Sequence, residues 1–237
     1  MIREVAIADC VHFCGFRYGR DDFNPYENYI TGLAAGEPAT QLRDRFVDFI
    51  LHYRPRHLGE ALGVVTLKPI PLWLLPWKSW LKLLRPGAWQ ESTACVLDIL
   101  TYFTPRGVEW HRIEEEFSWM ERALATIREP GYRPEHFGYI EVFELRAVGF
   151  SRFLVLDGNH RLGALHALGH QRVMVRQRPF HRARRTQALL WPLVLSGHVP
   201  HLDALAIFDG YIAGNHSPHR AEAPAALLLS SPAEAPR

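Results

Sequence analysis

The residues Leu156-Asp157-Gly158-Asn159-His160-Arg161-Leu162 join a stretch of strand-forming side chains to a stretch of helix formers. A helix N-terminus leaves backbone N–H groups without intrahelical partners and carries partial positive charge, so such a junction can receive an anion. Gly158 allows close approach to the backbone. Arg161, in the first turn, can aim a planar fork of donors at the same anion, and His160 can donate a further hydrogen bond. Asp157, at the strand end, can cap the turn, hold a metal or accept from a substrate hydroxyl. A phosphate is the guest that suits these groups. Asp-Gly is also ordinary turn chemistry, and that structural role stands beside the phosphate role.

A small α+β unit has to position this turn. Residues 137–146 (FGYIEVFELR) and 151–156 (SRFLVL) read as strands about a turn at Val148-Gly149, and 172–176 (RVMVR) as a third. Residues 160–168 form a short helix closed by Gly169. Before them, Phe117, Met120, Leu124 and Ile127 recur at helical spacing over 113–127, and Glu129-Pro130-Gly131 stops that helix. The order helix, strand, strand, turn, helix, strand places an α+β core at 104–180. An N-terminal region, 1–103, is expected to be helical and irregular. It holds an amphipathic helix near 40–53, with Leu42, Phe46, Phe49, Ile50 and Tyr53 on one face, and a helix over 91–102. Residues 179–185 read as basic and irregular. Helices at 187–195 and 201–213 make a C-terminal extension, 181–216, and the Ala/Pro/Ser-rich 217–237 has the composition of a disordered tail.

Composition narrows the class. The 237 residues are 48% hydrophobic and 22% charged with a formal net charge of +2, which excludes a fully disordered chain and gives no nucleic-acid coat. No apolar run approaches the roughly 20 residues that span a bilayer. Arg3 and Glu4 stand where a secretory signal would turn apolar, and three cysteines give no disulfide framework, so a reducing, cytoplasmic setting is expected. Cys10-x-His12-x-Cys14 lacks structural zinc spacing, and no metal site is expected there. The stretch 71–89 carries Trp73, Trp77, Trp80 and Trp89 beside Lys78, Lys82 and Arg85. It either covers the core or makes peripheral membrane contact through Trp73, Trp77 and Trp80. The cluster Arg176, Arg178, Arg182, Arg184 and Arg185 is the one feature that suits nucleic acid. The helices after it are apolar, so a solvated edge strand is expected and nucleic acid is not the expected partner.

The run VLDGNHRLGALHALGHQRVMVR (155–176) resembles the signature of the ParB/sulfiredoxin superfamily. In sulfiredoxins the equivalent loop, Gly-Cys-His-Arg, receives the phosphates of ATP. ParB proteins bind CTP through a related Arg-bearing box, and free serine kinases use a similar Asp-Gly loop in phosphoryl transfer. Asn159 replaces the sulfiredoxin cysteine, so sulfur chemistry does not carry over. The resemblance implies a small mixed sheet with helices, wrapped by helical terminal segments. It implies ATP or another nucleotide, with Mg²⁺, held at Gly158, Asn159, His160 and Arg161, and Asp157 positioning Mg²⁺ or the acceptor. Two further stretches, FTPRGVEWHRIEEEF and WPLVLSGHVPHLDALAIFDGY, resemble segments of ParB-like proteins associated with bacterial cell-surface polysaccharide clusters. The candidates for the base are Glu109 and the run Glu114-Glu115-Glu116; on that alignment Glu114 takes the acidic position, although Thr104 replaces a glycine and no Arg-Leu follows the glutamate. The expected function is nucleotide-dependent phosphotransfer to a small hydroxyl-bearing metabolite, a sugar among them, with Glu114, Asp157 and His160 catalytic. The alternative is a non-catalytic, nucleotide-binding regulatory module contacting DNA.

Overall fold

The computed structural model describes residues 1–19, 24–72, 74–78, 103–104 and 107–214. Its chain order is β1 (Ile2–Ala6), β2 (Cys10–Val11), α1 (Pro25–Ala34), α2 (Ala39–His52), α3 (Leu58–Leu62), β3 (Phe103–Thr104) and β4 (Gly107–Val108). Then follow α4 (Trp110–Arg128), α5 (Pro134–Phe137), β5 (Ile140–Arg146), β6 (Ser151–Asp157), α6 (Asn159–Ala167), β7 (Arg172–Arg184), α7 (Pro192–Leu195) and α8 (His201–Ala213). The fold is α+β, built on a five-stranded mixed sheet of order β1-β7-β5-β6-β2. Strands β5 and β6 form the expected antiparallel pair, β7 lies parallel to β5, and β3 pairs with β4 apart from the main sheet.

Both outer strands come from the N-terminal region, which was expected to be helical and irregular. β1 pairs antiparallel with residues 172–176, and β2 lies parallel to β6. Strands of five and two residues are too short for alternation to announce them. β7 also runs past its expected end. Its pairing with β5 shifts between Val142 and Glu144, so residues 178–181 bulge out and Arg182–Arg184 return to the sheet. Pro179, which cannot donate to a ladder, sits in that bulge, and Phe180 has a positive φ of 64°. The expected helix at 187–195 is a 3₁₀ segment, Arg185–Leu190, followed by α7. The expected helix over 91–102 and the tail 217–237 lie outside the described residues.

One face of the sheet is covered by α6, which α1 and α4 cover in turn. Leu162, Ala164 and Leu165 of α6 are buried with Ile140, Val142 and Leu154 of the sheet. A side chain at Gly163 would meet Ile30 Cδ1 at 3.1 Å, so the glycine lets α1 lie directly against α6. Trp77 is core: it is 6% exposed and meets Phe143, Trp191, Phe208 and Tyr211 with ring centroids 5.3–6.2 Å apart. Buried there, it is not available to a membrane interface; Trp73 and Trp80 lie outside the described residues. Among the described residues no helix is long and apolar enough to cross a membrane.

Candidate functional site

β6 delivers the chain to the turn and α6 carries it away. Gly158 is the N-cap of α6 with φ 92° and ψ 25°, a backbone state that glycine adopts without strain. A Cβ here would come within 3.0 Å of both Arg161 Nη2 and Ile140 Cγ1. No side chain caps the helix, so the N–H groups of its first turn keep their capacity for a ligand. They adjoin a cavity of about 510 Å³ lined by residues 156–161, by Trp119, Arg122, Ala123, Thr126 and Ile127 of α4, and by Phe137 of α5.

Each polar side chain of the turn has a protein partner. Arg161 donates through Nη1 to the carbonyls of Phe137 and Gly138, and through Nη2 to Asp157 Oδ2 at 2.9 Å. The guanidinium therefore ties the ends of α5 and β6 to α6, with an edge in the cavity lining. Asn159 faces the core, where its Oδ1 accepts from the Tyr18 hydroxyl at 2.7 Å. Asp157 is 68% exposed. It offers one carboxylate, and among the described residues no cluster of three metal-capable side chains accompanies it. That set fits Mg²⁺ only as an ion carried in by phosphates, the usual way a protein shares this metal with a nucleotide.

His160 bonds through Nε2 to Glu116 Oε1. The glutamate side chain is 1% exposed and the histidine 21%. The imidazole also sits beside the Tyr26 and Trp119 rings, at centroid distances of 5.8 and 6.2 Å. Glu114, the expected base, is elsewhere: 58% exposed, it pairs with Arg43 at 3.2 Å. Two residues along a helix is more than half a turn, so Glu114 and Glu116 point in different directions. The helical phase carried this signal, because 116 lies three after Ile113 and four before Met120, on the buried stripe. Arg122 was also missed. It is exposed, lines the cavity and makes no ion pair or hydrogen bond among the described residues.

The far end of α6 is held in a similar way: His166 Nδ1 lies 2.9 Å from Glu27 Oε1, and Glu27 also accepts from the Gly19 N–H at 3.0 Å. Elsewhere, His12 stacks on Phe16, lies tilted against Tyr26 and accepts the Cys14 N–H at Nδ1. Burial, helped by the nearby His160, pushes its pKa down to about 3. Burial pushes the Cys10 thiol up, away from thiolate chemistry. In the basic cluster Arg178 pairs with Glu141, Arg182 with Glu144 and Arg185 with Asp209, while Arg176 lies over the Tyr139 ring. Burial works to raise the Glu144 carboxyl, but bonds from Arg182 and Ser151 and the Arg3 charge outweigh it and hold the pKa below the ordinary value. These carboxylates neutralise much of the charge that would attract a nucleic-acid backbone.

No family model, curated protein or solved structure matches this chain.

Proposed function

We propose that this protein is a nucleotide-dependent phosphotransferase acting on a small hydroxyl-bearing metabolite, with the phosphates at the N-terminus of α6. The observation that carries the proposal is the uncapped, glycine-started helix opening on a cavity of about 510 Å³ whose lining holds the guanidinium groups of Arg122 and Arg161. Among the described residues Asp157 is the one carboxylate in that lining, and Arg161 already pairs with it. Phosphoryl transfer asks mainly for positioning and for compensation of negative charge, and both are available here. Trp119 and Phe137, each partly exposed at the cavity, suit the flat face of a base or sugar ring. The resemblance of 155–176 to nucleotide-binding loops points the same way. When Mg²⁺ is bound it neutralises phosphate charge, and Asp157 is the residue placed to hold it.

Isothermal titration with ATP, ADP and CTP, each with and without Mg²⁺, tests the proposal. Saturable binding of one of them is expected. It should weaken at least about tenfold in Arg122→Ala, the loss of roughly one charge-assisted contact of 1.4 kcal/mol or more. Arg122 is the informative choice because its removal breaks no bond among the described residues, whereas Arg161→Ala also unties α5 from the turn. No binding of any of the three would defeat the proposal. Binding without nucleoside diphosphate release across a panel of hydroxyl acceptors would leave a regulatory module.

A further inference from the structure

Among the described residues, the ion-pairing side chain with the least exposure is Glu116, whose partner His160 lines this cavity, and the phosphate turn does not require the pair. Glu116 comes from α4 and His160 from α6, so the pair exists only where the two helices meet. A carboxylate can only accept, so Nε2 is the protonated ring nitrogen and donates to Glu116. In the neutral imidazole the other nitrogen, Nδ1, then carries the lone pair. It makes no hydrogen bond among the described residues, and the ring belongs to the cavity lining. A 1% exposed carboxylate that holds one ring nitrogen of a cavity-lining imidazole is the arrangement of a base and its orienting acid.

We infer that His160 is the proton acceptor of the site, through Nδ1, and that Glu116 is the positioning residue that fixes its tautomer and orientation. The inference rests on the phosphotransferase proposal for the identity of the reaction, and on the geometry alone for the pair. In that reaction the acceptor hydroxyl gives its proton to Nδ1 as its oxygen bonds to the terminal phosphorus of a nucleoside triphosphate. The bond from that phosphorus to the bridging oxygen breaks, and the nucleoside diphosphate leaves with the electron pair. The proton on Nε2 stays in place, and Glu116 stabilises the imidazolium until Nδ1 returns its proton to water.

Acylation by diethyl pyrocarbonate, followed residue by residue by mass spectrometry on the nucleotide-free protein, tests the pair independently of the reaction. His160 should react several-fold faster than the surface residues His111 and His52, and this advantage should disappear in the isosteric Glu116→Gln. An unreactive His160, or one unaffected by Glu116→Gln, overturns the inference whatever the activity. Steady-state kinetics with the nucleotide identified by titration supplies the second arm. His160→Gln should lower kcat by about 10²–10⁴-fold, the usual contribution of a general base. Glu116→Gln should lower it at least about tenfold. In both, KM for the nucleotide should change less than about threefold, and added imidazole should restore part of the rate to His160→Ala. Glu114→Gln should lose less than about twofold, and a loss equal to that of Glu116→Gln would overturn the assignment. An active-looking pair by acylation with no turnover on any nucleotide would refute the phosphotransferase proposal and leave the pair standing.

Discussion

The Glu116–His160 pair makes a stability prediction that needs no ligand. An exposed carboxylate–imidazole pair contributes about 0–1 kcal/mol. Here the carboxylate side chain is 1% exposed and the imidazole 21%, so little water remains to screen or replace the bond. Removing the histidine leaves Glu116 buried without its partner, and breaking a buried pair from one side costs about 3–5 kcal/mol. For a chain of this length each kcal/mol moves Tm by about 2–4 °C, so His160→Ala should lower Tm by about 6–20 °C. Changing the glutamate to glutamine in the same protein removes the stranded charge and should restore part of that loss. The double variant should therefore be more stable than the sum of the single effects by about 1.5–3 kcal/mol, the range of hydrogen bonds to charged groups and of coupled neighbours. The cycle cancels the ring contacts that His160 makes with Tyr26 and Trp119, because both His160→Ala proteins lack them. Urea unfolding of the four proteins at pH 7, with equal m-values, measures the coupling. A coupling below about 0.5 kcal/mol, the usual error of additivity, would refute the argument.

Other perturbations follow from the same geometry. His12 titrates at 6.5 when unfolded and at about 3 in the fold, so between those values the unfolded chain carries one more proton and stability falls as pH falls. Between pH 6.5 and 5 this costs about 2 kcal/mol, and His12→Asn, which can still accept the Cys14 N–H, should flatten the urea midpoint over that interval by the same amount. A variant with the wild-type pH profile would show that another group is responsible. Gly158→Ala forces a side chain into a positive-φ state against Arg161 and Ile140. It should cost about 1–3 kcal/mol, seen by circular dichroism as a Tm lower by about 2–12 °C, and an unchanged Tm would contradict the turn geometry. In a Cys95→Ser background, Cys10 and Cys14 are buried and should not react with an aromatic disulfide reagent until denaturant is added. Prompt labelling of either would show that the N-terminal strand region opens under native conditions.

Much of the scaffold was legible from local pattern. The amphipathic helix expected near 40–53 is α2, the periodic stripe over 113–127 is α4, and the last expected helix is α8 at its expected bounds. The strand–Asp-Gly–helix junction is also where the sequence placed it, because a glycine that takes positive φ and a run of strand-forming side chains before it are properties of neighbouring residues. The polysaccharide-associated resemblance, by contrast, pointed to Glu114. In an acidic run of three at the start of a helix, all three residues suit the position by charge, and only the burial of one of them separates their roles.

Composition and periodicity thus determined an α+β chain with an anion-suited turn between a strand and a helix, since those signals act over a few residues. Tertiary structure alone decided that residues 2–11 supply both outer strands of the sheet, that Arg161 is bonded to the carbonyls of Phe137 and Gly138, and that Asn159 turns inward to Tyr18. It also decided that Glu116 faces His160. Each of these is a bond between segments 23 to 174 residues apart, made when helices and strands bury their apolar faces together. Which polar groups then meet depends on the approach of whole elements, and no local pattern of side chains contains that information.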